Sequence, residues 1–267
     1  MSLRYDVNIS ILLTELPLLQ RPQAARDAGF DAVECWWPFA DAVPADREVD
    51  AFVGAVRDAG VQLVSLNAYG GDLAAGERGI AALPGRQAQF RDNLDVAVGL
   101  LQALGCPVLH VLHGNRDGSD PDRQDELATE HLRLAAGAAG RVGAGVVVEA
   151  LSGDERYPVR TAADALRLLD RVGPGARFLC DVYHLSVNGE DPVEVIHEHA
   201  DRLGHVQVAD APGRHQPGTG TVDVDGCLVA LEDVGYDGWV GLEYAPLGPS
   251  LESFGWQRAE ASRPSAD

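Results

Sequence analysis

The sequence predicts one α/β domain, a (β/α)₈ barrel over residues 1–267 with a C-terminal tail from about residue 250. Three observations carry this expectation. The chain has 267 residues, close to the roughly 250 that such a barrel takes. Eight short apolar runs alternate with amphipathic segments, with no low-complexity linker and no sequence repeat between them. Finally, four polar residues each end an apolar run: Glu149 after 145–148, Asp181 after 177–180, Gln207 after 203–206 and Glu243 after 239–242. Their gaps are 32, 26 and 36 residues, and a strand with its return helix takes roughly 30. A doubly wound open sheet is the alternative that the alternation alone allows.

The elements follow in order. An alternating run at 5–9 is the first strand, and 17–29 is helical, closed by Gly29. The second strand, 31–35, ends near polar Glu34, and the helix 46–59 is closed by Gly60. Strand three, 61–66, precedes Asn67 and a long Gly-rich loop over 68–85, of a length usual for functional or disordered segments. Phe90, Leu94, Val98 and Leu101 form the stripe of a helix over 86–104, before strand four at 107–112. The helix 121–142 has an acid-rich first turn that suits its macrodipole. Strand five, 145–148, is followed by a helix over 161–172 with Thr161 as N-cap and Asp164 three residues later. Strand six at 177–180, a helix at 192–200, strand seven at 205–208, a helix at 225–234 and strand eight at 239–242 complete the pattern. The tail 250–267, with Phe254 and Trp256, is expected to pack under the barrel or against another subunit of a homo-oligomer.

Composition narrows the function. The formal net charge is −20, which repels phosphate backbones, and no local basic groove offsets it, so nucleic acid is not an expected partner. The chain contains no lysine, and all 21 basic residues are arginine. That excludes lysine Schiff-base chemistry and the phosphate-binding lysine of a P-loop. No run approaches the roughly 18 apolar residues of a membrane span, and the opening segment has no leader-like pattern, so a cytoplasmic protein is expected. Cys35, Cys106, Cys180 and Cys227 are scattered, without a CxxC, and read as reduced core thiols.

In a barrel the strand ends form one active-site mouth. Glu149, Asp181, Gln207 and Glu243 would converge there as an oxygen-rich pocket that repels itself unless a hard divalent cation fills it. Helix capping or pairing with arginine is the plainer role for Glu149 or Asp181. His184, three after Asp181, lies near the mouth as a donor or proton relay. His205 points to the same side as Gln207, and His110 and His113 close strand four. A satisfied core position is the competing role for each of these histidines. His197 and His199 diverge on a helix and form no metal pair. Arg78, on a mobile loop, and Arg214, beyond strand seven, are candidates to clamp an acidic substrate; Glu77 is a further contact or its neighbour's ion-pair partner. There is no GxSxG elbow, Gly140–Gly145 precedes a strand instead of following one, and the sequon at Asn8 falls in a strand.

Three stretches carry a resemblance: Gly71-Asp-Leu-Ala-Ala-Gly-Glu-Arg-Gly79 continuing to Arg86; Gly204-His-Val-Gln-Val-Ala-Asp210 with Arg214 and Pro217-Gly-Thr-Gly220; and Asp237-Gly-Trp-Val-Gly-Leu-Glu-Tyr244. Together they resemble the hydroxypyruvate isomerase family of xylose-isomerase-like TIM barrels. The resemblance implies that Glu149, Asp181, Gln207 and Glu243 bind Mg²⁺ or Mn²⁺, and that Glu149 and Glu243 also move protons. It implies isomerisation of hydroxypyruvate to 2-hydroxy-3-oxopropanoate through an enediolate, with substrate contacts from His184, Arg214, Arg78, Glu77, Asn67 and His113, and with the Glu77 loop as a lid. The sequence departs from the family at Ala150-Leu-Ser152 after the strand-five glutamate and at Leu66-Asn67. These changes leave the metal residues in place and leave the substrate open between hydroxypyruvate and a four-carbon 2-oxo acid. A ketose 3-epimerase, an endonuclease-like metal barrel and a non-catalytic ligand-binding barrel are the competing functions.

Overall fold

The computed structural model describes residues 2–256, and its eight parallel strands close into a barrel in sequence order. They are β1 (Arg4–Asn8), β2 (Ala32–Cys35), β3 (Gln62–Asn67), β4 (Val108–His110), β5 (Gly145–Glu149), β6 (Ala176–Asp181), β7 (Leu203–Val208) and β8 (Trp239–Leu242). β1 pairs with β8 to seal the ring, with Tyr5 opposite Val240 and Val7 opposite Leu242. The open-sheet alternative is thereby eliminated. β4 is shorter than the run 107–112, because beyond His110 the chain keeps one ladder bond, from Val111 N–H to the Val147 carbonyl at 3.1 Å, and then leaves the sheet.

The helices are α1 (Arg21–Asp27), α2 (Asp46–Ala59), α3 (Gln87–Leu104), α4 (Pro121–Gly140), α5 (Ala162–Val172), α6 (Val182–Val187), α7 (Pro192–Glu198), α8 (Val224–Asp233) and α9 (Ser250–Ser253). Their ends follow local chemistry. The Thr161 hydroxyl accepts the Asp164 N–H at 3.1 Å while the Asp164 carboxylate accepts the Thr161 N–H at 3.0 Å, a reciprocal cap on α5. The segment 17–29 is not one helix: a 3₁₀ turn over Leu18–Gln20 precedes α1, whose first turn holds Pro22, a residue with no N–H to give. α6 has no counterpart in the sequence pattern, since six residues are too few to display a stripe.

Apolar strand residues and helix stripes make the core between sheet and helices: Val7, Val33, Val206 and Val208 all lie there, fully buried. The alternate residues Asn8, His205 and Gln207 all hydrogen-bond Glu34 inside the barrel. This interior is therefore polar, where branched apolar side chains are usual. Two register shifts adjust it, one between Val33 and Glu34 and one between Phe178 and Leu179. The second leaves Gly204 unpaired and sets Gln207 opposite Asp181. The tail packs on its own barrel: the Phe254 ring meets Phe30 at 4.9 Å and the Trp256 ring meets Tyr5 at 5.9 Å, both edge-on. The rest of the expected tail, 257–267, lies outside the described residues. The four cysteines are buried and free, and among the described residues no helix is long and apolar enough to cross a membrane.

Candidate active site

The barrel mouth brings the four strand-end residues together. Glu149 and Asp181 are the last residues of β5 and β6, Gln207 is the penultimate residue of β7, and Glu243 directly follows β8. All four are between 2 and 4% exposed. Asp181 has two roles at once. Its Oδ1 caps α6 by accepting the N–H groups of Tyr183 (2.8 Å) and His184 (3.1 Å), and its Oδ2 faces the mouth. Capping and site membership, posed as alternatives by the sequence, are divided between the two oxygens.

One cation already stands among the carboxylates. The Arg214 guanidinium contacts Glu243 Oε2, lies 3.2 Å from Asp181 Oδ2, and covers the Tyr183 ring at 5.4 Å. Burial works against its charge, yet Glu243, Asp181 and Glu149 hold its pKa above the ordinary arginine value. The loop that presents it explains the strand-seven motif. The Asp210 carboxylate accepts the N–H groups of Ala211, Gly218, Gly220 and Val222 at 2.7–3.0 Å. Gly220 runs so close to the Ala211 carbonyl that a Cβ there would stand 2.1 Å from its oxygen. This scaffold sets Arg214 at φ 57°, in the left-handed region.

Charge is still unbalanced. Ionised Glu149, Asp181 and Glu243 would carry three negative charges against one guanidinium. Burial, with Asp181 and Glu243 nearby, pushes Glu149 well above the usual carboxylate range. Burial also pushes Glu243 up to about 8, against the pull of Arg214. Glu149 Oε1 and Gln207 Oε1 are buried without a hydrogen-bond partner. Two orphaned oxygens and two surplus negative charges fit a hard divalent cation. Ligand atoms of Glu149, Asp181 and His184 lie within 4.8 Å of one another, so these residues could hold a metal ion.

The imidazole, however, is turned to donate. The Ser152 backbone N–H gives its proton to His184 Nδ1 at 3.0 Å. Burial pushes the His184 pKa down to about 4, so the ring is neutral at pH 7, and its one proton must sit on Nε2. That N–H faces the mouth, 3.8 Å from Glu149 Oε1 and 3.7 Å from Asp181 Oδ2.

The chain is similar to known proteins along nearly its whole length. Residues 22–260 match the family model described as xylose isomerase-like TIM barrel. A Streptomyces coelicolor protein provisionally named hydroxypyruvate isomerase is 51% identical over 97% of this chain and 96% of its own. The chain belongs to the hydroxypyruvate isomerase family. Within that family, the Escherichia coli hydroxypyruvate isomerase is 30% identical over 95% of this chain and 98% of its own. A 2-oxo-tetronate isomerase of Pectobacterium atrosepticum is 33% identical over 95% and 96%. Among solved structures, a Brucella melitensis protein described as an AP endonuclease of family 2 superposes with a TM-score of 0.89 and 34% identity, covering 97% of this chain and 99% of that one.

In this isomerase-family barrel the mouth cavity is about 380 Å³, lined by Asn67, Arg78, His110, Glu149, His184 and Arg214 among others. A second lobe of about 410 Å³ shares Trp36, Asn67, Leu73 and Leu112 with it. Two expected substrate contacts lie elsewhere. Glu77 turns into its own loop, pairing with Arg86 at 2.7 Å and accepting the Asp72 N–H at 2.6 Å, so its partner is Arg86 and not the adjacent Arg78. His113 leaves the sheet: its ring meets Asp125 at 3.1 Å and the Gly114 carbonyl at 3.0 Å, on the helix side of the barrel. Nor is the 68–85 loop loosely held, since Ile80, Ala81 and Ala82 are buried and Ala82 N–H bonds the His113 carbonyl at 2.7 Å. Arg78 does reach the mouth, with its guanidinium donating to the Leu73 and Glu77 carbonyls.

Sequence reasoning passed over Trp36, whose indole N–H donates to Glu243, and the interior pair Asn8 and Glu34. The strand-end rule that selected the four oxygen donors, applied to β1 and β2, points to all three.

Proposed function

We propose that this protein interconverts hydroxypyruvate and 2-hydroxy-3-oxopropanoate by proton transfer through an enediolate, with Glu149, Asp181, Gln207 and Glu243 holding Mg²⁺ or Mn²⁺. The observation that carries this is the pair of orphaned oxygens beside three crowded carboxylates, in a chain 51% identical to a family member. A divalent cation there would supply Lewis-acid polarisation of the substrate carbonyl and balance its developing charge.

The protein's own groups do the rest. Glu149 and Glu243 come from different strands and flank the mouth. One takes the proton from the hydroxymethyl carbon of hydroxypyruvate and the other delivers a proton to the former carbonyl carbon, while the hydroxyl proton passes from the C3 oxygen to the C2 oxygen. Both are buried carboxylates, a group that can serve as a general base. The His184 Nε2–H donates to the oxygen on which charge develops. Arg214 and Arg78 are the cations placed to receive the substrate carboxylate. Asn67 lines the same cavity.

A four-carbon 2-oxo acid is the second substrate to consider, because the adjoining 410 Å³ lobe leaves room for a longer chain and one relative is a 2-oxo-tetronate isomerase. DNA is disfavoured despite the Brucella relative's description, given the net charge of −20. The test is a panel of hydroxypyruvate, four-carbon 2-oxo acids and free ketoses, assayed with metal-stripped and Mg²⁺- or Mn²⁺-refilled protein. The highest kcat/KM is expected on an acid. Turnover of ketoses alone would refute the assignment of the arginines and make the protein an epimerase.

A further inference from the structure

We infer that Glu34, inside the barrel, is the positioning residue that turns the Gln207 carbonyl oxygen and the Glu243 carboxylate toward the cation. The inference rests on the assignment of Gln207 and Glu243 as ligands. A glutamine amide is a metal ligand in only one of its two orientations, since its NH₂ end can only donate. Gln207 Nε2 lies 2.7 Å from Glu34 Oε1. The amide nitrogen donates to Glu34, so Oε1 faces away, where it stands buried and unpartnered.

Glu34 is itself fixed on every side. His205 Nε2 lies 2.6 Å from its Oε2, and Asn8 Nδ2 donates to its Oε1 at 2.9 Å. Gly241 on β8 makes room for it: a Cβ there would stand 2.8 Å from both carboxylate oxygens. The same Asn8 amide donates to Glu243 Oε1 at 2.8 Å. Its orientation is set too, because its Oδ1 accepts the Ser10 N–H at 3.0 Å. One buried carboxylate thus meets the Gln207 amide directly and reaches Glu243 through Asn8. Partners behind a ligand typically contribute 10–100-fold in metal affinity.

The test is Mn²⁺ titration of the full chain by calorimetry, with the Mn²⁺ EPR spectrum as a readout of ligand geometry and far-UV CD as a check of folding. Wild type is expected to bind one Mn²⁺, and Glu34→Gln to bind it roughly 10–100-fold more weakly with an altered spectrum. Gly241→Ala, which displaces Glu34 without removing it, is expected to weaken binding likewise. Gln207→Glu sets two carboxylates against each other, and adding Glu34→Gln to it restores a donor–acceptor pair of reversed polarity. The Glu34 substitution should therefore strengthen binding in that background, the opposite sign to its effect alone. A packing role, or a simple loss of negative charge, predicts weakening in both backgrounds. Wild-type affinity and spectrum in folded Glu34→Gln, or the same sign in both backgrounds, overturns the inference; should Glu34→Gln not fold, Gly241→Ala binding as wild type does so. If wild type binds no Mn²⁺, or Asp181→Asn leaves binding intact, the ligand assignment itself fails and takes the inference with it.

Discussion

His184 shows how one hydrogen bond can decide a residue's chemistry. Position alone would make its Nε2 a ligand, beside Glu149 and Asp181. The obligatory donor at Ser152 reserves Nδ1 and leaves Nε2 protonated. We expect His184→Ala to lower kcat by about 10²–10³-fold, the usual effect of losing one oxyanion donor, while the Mn²⁺ dissociation constant moves by less than about tenfold. Steady-state kinetics and calorimetry on the same preparation check both; a metal affinity that collapses would make His184 a ligand. The position of Glu149, Asp181, Gln207 and Glu243 at the mouth was legible in the sequence because a strand end is marked by a local pattern, an apolar run stopped by a polar residue. Glu77 and His113 were misplaced because their partners, Arg86 and Asp125, are chosen by loop geometry that no spacing encodes. Asn8 and Glu34 carry the same strand-end mark on β1 and β2, but their role depends on partners, each other and residues of β7 and β8, that spacing does not reveal.

At the scale of elements, the eight strands were legible because each is a compact apolar run, and the longer helices because caps and closing glycines bound them, as Gly60 does for α2. α6 was hidden by its length, and yet it ties fold to site through Asp181. Asparagine caps as well as aspartate does. Asp181→Asn is therefore expected to keep the stability of the metal-free protein close to wild type while losing metal binding. Asp181→Ala should lose metal binding and a further ~1 kcal/mol for the cap. Thermal denaturation of the two metal-free variants separates the effects. Equal melting temperatures would mean that the cap contributes nothing and that Asp181 serves the mouth alone.

Across the whole molecule, the buried charges make stability depend on pH and metal together. Glu243 is pushed up to about 8, so the folded state holds a proton that the unfolded chain, titrating near 4.5, has released. Its contribution is full below about 4.5 and is lost as pH rises toward 8. His184 acts oppositely: with its pKa near 4, its contribution is full above about 6.5 and is lost as pH falls toward 4. The metal-free protein should thus be most stable between these limits and weaken toward pH 8. A cation competes with the carboxylate protons, so its stabilisation should grow with pH. At a hundredfold excess over the dissociation constant it is about 2.7 kcal/mol, or roughly 5–10 °C for a chain of this size. Melting curves at pH 6 and pH 8, with and without Mn²⁺, read this directly; an Mn²⁺ increment that shrinks at the higher pH would contradict the burial of these carboxylates as the cause.

NMR of hydroxypyruvate turnover in D₂O distinguishes proton shuttling by two glutamates on different strands from the alternatives. With Mn²⁺ or Mg²⁺ restored, the expected product is 2-hydroxy-3-oxopropanoate carrying solvent deuterium at C2, since the group that returns the proton is not the one that took it. Glu149→Gln and Glu243→Gln should each lose turnover by about 10²–10⁴-fold while remaining folded. Turnover that survives metal removal, or wild-type rates in either variant, would rule out the metal-dependent shuttle by Glu149 and Glu243.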